Sequence, residues 1–209
     1  MTRERKSMVE RTIVARGISD RAVISAMLKV PRHKFVPKAL RKEAYEDCPL
    51  PIGYNQTISQ PYIVALMVEL AHIDRNSKVL EIGTGSAYQA AVLAEIADQV
   101  YTIEIVKELM LLSVEKISAL DYENVHLRLG DGASGWLEEA PFSAIIVSAA
   151  PKKIPEAMIE QLAVYGKLVV PVGKHDQILK VITRTEHGIE VDDSIPVRFV
   201  PMTGEIFDE

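Results

Sequence analysis

Cysteine is nearly absent: Cys48 is the only one in 209 residues. One thiol cannot close an internal disulfide, so covalent stapling is excluded and a reducing, cytoplasmic setting is expected. No apolar run approaches the ~20 residues that span a bilayer. The charged start, Met1-Thr2-Arg3-Glu4-Arg5-Lys6, leads into no apolar signal core either. Neither a membrane nor a secretory route is therefore expected. Excess positive charge is missing too: the formal net charge is −5, which gives no overall pull towards nucleic acid. Low-complexity tracts and internal repeats are absent. The five histidines, His33, His72, His126, His175 and His187, form no pair at metal-ligand spacing, so no metal site is expected. Cys48 lacks the basic neighbours that would mark a nucleophile.

What remains is an ordinary folded composition, 48% hydrophobic and 25% charged, on a length that fills one well-buried core and falls short of two. A single domain over residues 1–209 is expected, acting as a monomer. Residues 1–60 form a helical extension and loop, and residues 61–209 an α/β core. Residues 5–15 are predicted helical, ending at Gly17. Ser19 and Asp20 offer an N-cap to a second helix, whose apolar face is Val23, Ile24, Met27 and Leu28 and which stops before Pro31. Pro31 and Pro37 predict an extended, surface-crossing segment between them. Residues 45–60 hold Pro49, Pro51, Gly53 and Asn55 without a period, which predicts a long loop of the kind that carries function. A helix with Pro61 in its first turn follows, with Ser59 or Gln60 ahead of it, and spacing alone favours an N-cap role for Ser59.

From Lys78 onward strands and helices alternate. Strands are predicted at 100–104, 125–129, 143–148 and 167–172, with helices at 90–97, 106–120 and 155–162. That order predicts a doubly wound, Rossmann-like parallel sheet with right-handed crossovers. Residues 177–185 and 195–200, joined through His187-Gly188, predict an antiparallel C-terminal edge.

The chain is organised around Lys78-Val79-Leu80-Glu81-Ile82-Gly83-Thr84-Gly85-Ser86-Ala87-Tyr88, an apolar strand that runs into a glycine turn and a helix. Parallel α/β sheets bind nucleotide-like ligands at such a place. Three acids fall at the carboxyl ends of successive strands or in the turn beyond: Glu81, Glu104 and Asp131. A ligand lying across those strands would meet all three. Glu104 is placed to accept both hydroxyls of a ribose, and Asp131 to accept from an exocyclic amine. A dinucleotide fingerprint needs a third glycine where Tyr88 stands, and a phosphate-cradling loop is absent. Glu81, just ahead of the glycines, would repel a pyrophosphate but attract a sulfonium with an ammonium group. That favours S-adenosylmethionine over NAD.

Taken together the motifs resemble the protein-L-isoaspartate (D-aspartate) O-methyltransferase family. The carriers are Val30-Pro31-Arg32-His33-Lys34-Phe35-Val36-Pro37, Ala44-Tyr45-Glu46-Asp47, Thr57-Ile58-Ser59-Gln60-Pro61, the glycine turn, Gly130-Asp131-Gly132 and Phe199-Val200-Pro201. The resemblance implies methyl transfer from S-adenosylmethionine, leaving S-adenosylhomocysteine, to the free α-carboxylate of L-isoaspartyl residues in damaged proteins and peptides. The ester then cyclises to a succinimide. The resemblance also implies that Ser59 is the active-site residue. Cofactor contacts fall at Thr57, Ile58, Glu81, Gly83, Thr84, Gly85, Ser86, Glu104, Asp131 and Gly132. Thr203 and His33 are the candidates nearest the substrate, although a lone histidine in a turn is more often structural. A carboxylate with a pKa of about 3.5–4 is already ionised, so no general base is required.

Four positions depart from the family pattern: Ala87 for a third glycine, Asn55 for a loop glycine, Ser143 for an aspartate, and Tyr165 for a glycine. Ala87 is expected to add a tolerated methyl in the first helical turn, and Asn55 to accept a positive φ. Competing readings are a methyltransferase with another substrate, a nucleotide-dependent oxidoreductase, and a non-catalytic module that binds an adenosyl cofactor.

Overall fold

The computed structural model describes residues 1–204; the last five residues of the expected domain lie outside the described part. Helix α1 (Thr2–Met8) continues through a wider π turn (Val9–Ile13) and a tighter 3₁₀ turn (Val14–Arg16). Gly17 ends it in the left-handed conformation, at φ 98°, which a residue with a Cβ resists. Asp20 caps α2 (Arg21–Lys29), its carboxylate accepting from the Ala22 and Val23 N–H groups.

The segment between Pro31 and Pro37 is not extended, and only part of it, such as Lys34, lies at the surface. Arg32–Lys34 form a 3₁₀ turn, and Arg32, Phe35 and Val36 are buried. Phe35 meets Tyr88 edge-on with ring centroids 5.6 Å apart. The Arg32 guanidinium donates to the Ala44 carbonyl at 2.8 Å and lies over the same tyrosine. Burying a phenylalanine contributes roughly 1.5–3 kcal/mol, enough to draw a proline-flanked turn inward.

The predicted long loop is partly a hairpin. β1 (Leu50–Gly53) and β2 (Gln56–Ile58) pair antiparallel around Tyr54 and Asn55, whose φ values of 53° and 57° suit strand twist. Leu50 and Ile52 face inward, an alternation that the two prolines mask in the sequence. The hairpin feeds α3 (Pro61–Leu70). Its N-cap is Gln60, with no side-chain cap bond, so Ser59 does not cap the helix.

The sheet is built from β3 (Lys78–Ile82), β4 (Gln99–Glu104), β5 (Val125–Leu129), β6 (Phe142–Val147), β7 (Leu162–Val172), β8 (Gln177–Thr185) and β9 (Gly188–Val197). The intervening helices are α4 (Tyr88–Ala94), α5 (Lys107–Ser118) and α6 (Glu156–Glu160). Spatial order is β5-β4-β3-β6-β7-β8-β9, parallel as far as β7 and antiparallel at β8 and β9. This is the doubly wound sheet with the antiparallel edge that the alternation predicts. The last strand begins at Gly188 rather than near 195, because its start is exposed and acidic, with Glu190, Asp192 and Asp193 hiding it from an apolar pattern.

Both faces of the sheet are covered. On β6, Ala144 and Ile146 face one core while Ile145 and Val147 face the other, which is why that strand is apolar throughout. Met8, Ile13, Met27, Phe35 and Ile58 join the first core beside Val79, Val92 and Ile146. The N-terminal extension therefore completes that core instead of standing apart. No helix among the described residues is long and apolar enough to cross a membrane. The chain runs outward from β3 through β5 and then returns to β6, so β3 and β6 flank a switch point, where α/β sheets bind ligands.

Candidate active site

At that switch point lies a cavity of about 570 Å³, with the glycine turn as its floor. Gly83 and Gly85 take φ values of 89° and 53°, so the chain can leave β3 sharply with bare backbone facing the cavity. The Gly83 and Thr84 N–H groups both donate to the Ile103 carbonyl, at 2.9 and 3.2 Å, which keeps the turn fastened to β4. Glu104, 5% exposed, accepts the Gly85 N–H on one oxygen at 2.7 Å and the Val106 N–H on the other at 2.9 Å. Ser113 and Lys116 of α5 donate to the Gly85 and Ser86 carbonyls. Burial lowers the Lys116 pKa. Ala87 adopts φ 68° as the N-cap of α4, so its methyl sits in a left-handed position and not in the first helical turn as expected. An alanine there costs about 1–2 kcal/mol that glycine avoids.

Beneath the turn is a polar chain. The Thr84 hydroxyl donates to Thr102 at 2.6 Å, and Thr102 donates to Glu81 Oε2 at 2.6 Å. Gln89 Nε2 donates to Glu81 Oε1 at 3.1 Å and to Ser148 Oγ at 3.0 Å. Glu81 is fully buried, and burial pushes its pKa up to about 8; the two donors pull the other way and the neighbouring Glu104 charge adds to the rise. Gln89 Oε1 is buried without a partner among the described residues.

Two segments form the roof. The hairpin brings Thr57, Ile58, Ser59 and Gln60 to the cavity wall. Ser59 is half-buried, and its hydroxyl makes no hydrogen bond among the described residues. Asp47 ties this segment to the helices, accepting from Gln60 Nε2 at 2.7 Å, from the Tyr62 N–H at 3.2 Å and from Arg16 at 3.0 Å. The Arg16 guanidinium also lies 3.4 Å over the Tyr62 ring. The second segment follows β9. The Gln177 side chain accepts from the Phe199 N–H at 2.6 Å and donates to its carbonyl at 3.1 Å. Ala150 then bonds both Val200 and Met202. This strap carries Arg198 and Thr203 to the cavity.

Of the expected positions, Thr57, Ile58, Ser59, Glu81, Gly83, Thr84, Gly85, Ser86, Glu104, Gly132 and Thr203 line this one cavity. Gly132 sits where a Cβ would meet the Ile82 side chain at 2.3 Å, so only glycine fits. Asp131 is not in the lining: its carboxylate accepts the Ala133 N–H at 2.8 Å, capping the 3₁₀ turn Gly132–Ser134, and Gly204 lies close against it. His33 is also outside the lining. It bonds the Tyr45 hydroxyl at 2.7 Å, and its pKa is lowered by burial and by Arg41. Arg16, Gln89, Thr102 and Arg198 escape a sequence reading, since no local pattern tells which polar residues of distant segments meet. Among the described residues no group of three or more His, Cys, Asp and Glu side chains could hold a metal.

Carboxylates under a glycine turn, a buried amide oxygen without a partner and a room of this size suit an adenosyl sulfonium with its ammonium group. Comparisons with known proteins agree. The profile of the family described as Protein-L-isoaspartate(D-aspartate) O-methyltransferase (PCMT) matches residues 3–206. A protein-L-isoaspartate O-methyltransferase from Picosynechococcus sp. is 53% identical over 97% of this chain and 91% of its own length. One from Gloeobacter violaceus is 55% identical over 95% and 98%. Among solved structures, a protein-L-isoaspartate O-methyltransferase superposes with a TM-score of 0.87 at 26% identity, over 96% of this chain and 66% of that one. A Plasmodium falciparum structure described as the same activity, in complex with S-adenosyl-L-homocysteine, superposes with a TM-score of 0.82 at 29% identity, over 95% and 97%. With sequence and fold matched over nearly its whole length, the chain belongs to the protein-L-isoaspartate(D-aspartate) O-methyltransferase family.

Proposed function

We propose that this chain repairs damaged proteins by moving the methyl group of S-adenosylmethionine onto the free α-carboxylate of L-isoaspartyl residues, as a monomer in the cytoplasm and without nucleic acid. The observation that carries the reading is the Ser59 hydroxyl, which caps no helix, bonds nothing among the described residues, and lines the same cavity as Glu81 and Glu104.

When bound, the cofactor supplies an electrophilic methyl on a sulfonium. Glu104, already fixed by two backbone N–H groups, has lone pairs left for the ribose hydroxyls. Glu81 would hold the positive end, with Gln89 Oε1 as a further acceptor beside it. Thr57, Ile58 and residues 83–86 would hold the cofactor and Gly132 would leave room for its base; Asp131, outside the lining itself, would reach the exocyclic amine with the capacity left by its bond to the Ala133 N–H. Thr203 closes the substrate side, with His33 more remote.

Ser59 donates to one oxygen of the incoming carboxylate and so aims the other along the sulfur–methyl axis. No proton is taken, because the carboxylate arrives ionised. Opposite charges disappear as the methyl moves, so the apolar wall of Ile58, Ile63, Val197 and Phe199 would favour the step once bound cofactor and substrate displace water from it. The methyl ester leaves and closes to a succinimide unaided.

The test is incorporation of labelled methyl into an isoaspartyl peptide, with the matching aspartyl peptide left unmodified. Well-folded protein that labels neither rejects the reading. A rise in melting temperature with NAD and none with S-adenosylmethionine would point to an oxidoreductase instead.

A further inference from the structure

Two cations line the cavity, and they differ. Arg16 is committed: Asp47 pairs with it at 3.0 Å and the Tyr62 ring lies beneath it. Arg198 is exposed and has no hydrogen bond, ion pair or ring contact among the described residues. Its backbone is nevertheless held firmly, because Gln177 clamps Phe199 from both sides and Ala150, just beyond β6, bonds Val200 and Met202. A fixed anchor with a free guanidinium, in a chain with net charge −5, leaves one positive group without a partner among the described residues at the wall of this cavity.

What charge does it meet? The reacting carboxylate is a poor match. Methyl transfer erases that charge, so a cation paired with it would hold the ground state more tightly than the transition state and slow the step. A neutral hydroxyl such as Ser59 avoids that cost. A charge that survives the reaction suits Arg198 better. Resting on the function proposed above, we infer that Arg198 determines substrate preference by pairing with an acidic side chain of the peptide close to the isoaspartyl residue.

The experiment compares three isoaspartyl peptides that differ only in carrying Glu, Gln or Lys beside the isoaspartyl residue, with the intact enzyme and its Arg198→Glu, Arg198→Gln and Arg198→Lys variants. The unaltered enzyme is expected to favour the Glu peptide over the Lys peptide about fivefold in kcat/KM, mostly through KM, the size of a partly exposed ion pair. That ratio shrinks between about 50 mM and about 500 mM salt. Arg198→Lys keeps the preference, Arg198→Gln abolishes it, and Arg198→Glu reverses it. Peptide affinity measured by calorimetry with S-adenosylhomocysteine present follows the same order, and melting temperatures stay within about a degree, since the exposed Arg198 side chain makes no hydrogen bond or ion pair among the described residues. An unchanged Glu-to-Lys ratio in Arg198→Glu overturns the inference. So does an equal loss for all three peptides, which would put Arg198 on the reacting carboxylate. Failure of the unaltered enzyme to label the Gln peptide strikes at the methyltransferase reading itself, and the inference falls with it.

Discussion

The floor and the roof of the cavity are built on opposite principles. In the floor, Glu81, Thr102 and Glu104 are almost wholly buried, and hydrogen bonds to neighbouring strands and turns fix their oxygens in place. In the roof, Ser59 and Arg198 have side chains with no hydrogen-bond or ion-pair partner among the described residues, and the tie of Arg16 to Asp47 is partly exposed. A cofactor is the same molecule at every turnover, so a rigid, prepaid seat serves it. A damaged protein differs each time, so its seat needs few fixed points on firmly anchored backbone.

Four measurements break or sharpen that contrast. Replacing Glu104 by Leu strips the acceptor from the Gly85 and Val106 N–H groups at once; at about 1–3 kcal/mol for each stranded donor, cofactor affinity by calorimetry is expected to fall by about 100-fold or more. Ser59→Ala touches only the roof. It is expected to lower kcat by about 10- to 100-fold, the value of a hydrogen bond to a charged group, with the cofactor Kd unmoved. A matching loss of cofactor affinity would show that the two halves are not separable.

Acidity tests the floor more gently. The Glu81 pKa is raised to about 8 from 4.5, so the folded, cofactor-free protein holds that proton more tightly than the unfolded chain. Its contribution to stability is full below pH 4.5 and is lost as pH rises through 8. A positively charged cofactor favours the ionised form, so binding releases a proton near neutral pH and tightens several-fold from about pH 6 to about pH 8. Calorimetry in buffers of different ionisation enthalpy reads the released proton, and Glu81→Gln should release none. The smallest effect is expected at Asp47→Asn: loss of a partly exposed pair worth under about 1 kcal/mol loosens the hairpin, shifting kcat/KM a few-fold without changing the cofactor Kd.

How much of this was legible beforehand follows from where each signal lies along the chain. The strands and their acids were readable because period and composition sit within a few neighbouring residues, as did the Gly17 stop and the Asp20 cap. The segment around Phe35 was misread as surface because its proline flanks are a local signal, whereas the pull of Tyr88 is not. The hairpin was missed for a related reason, with Pro49 and Pro51 masking its alternation. Ala87 shows the same limit on a single dihedral angle: nothing in its neighbours reveals that the backbone there is left-handed.

The sequence by itself determined the order of strands and helices, the glycine turn with Glu81 ahead of it, the placing of Glu104 at a strand end, and the impossibility of an internal disulfide. All are consequences of bonding and hydrophobic period along one stretch of chain. Only the tertiary structure decided that Gln60 and not Ser59 caps α3, that Asp131 turns to its own 3₁₀ turn, and that Arg16 and Arg198, far apart in the chain, reach one cavity. Those outcomes depend on which distant surfaces pack together to bury the two cores, and that packing is a property of the whole fold rather than of any segment in it.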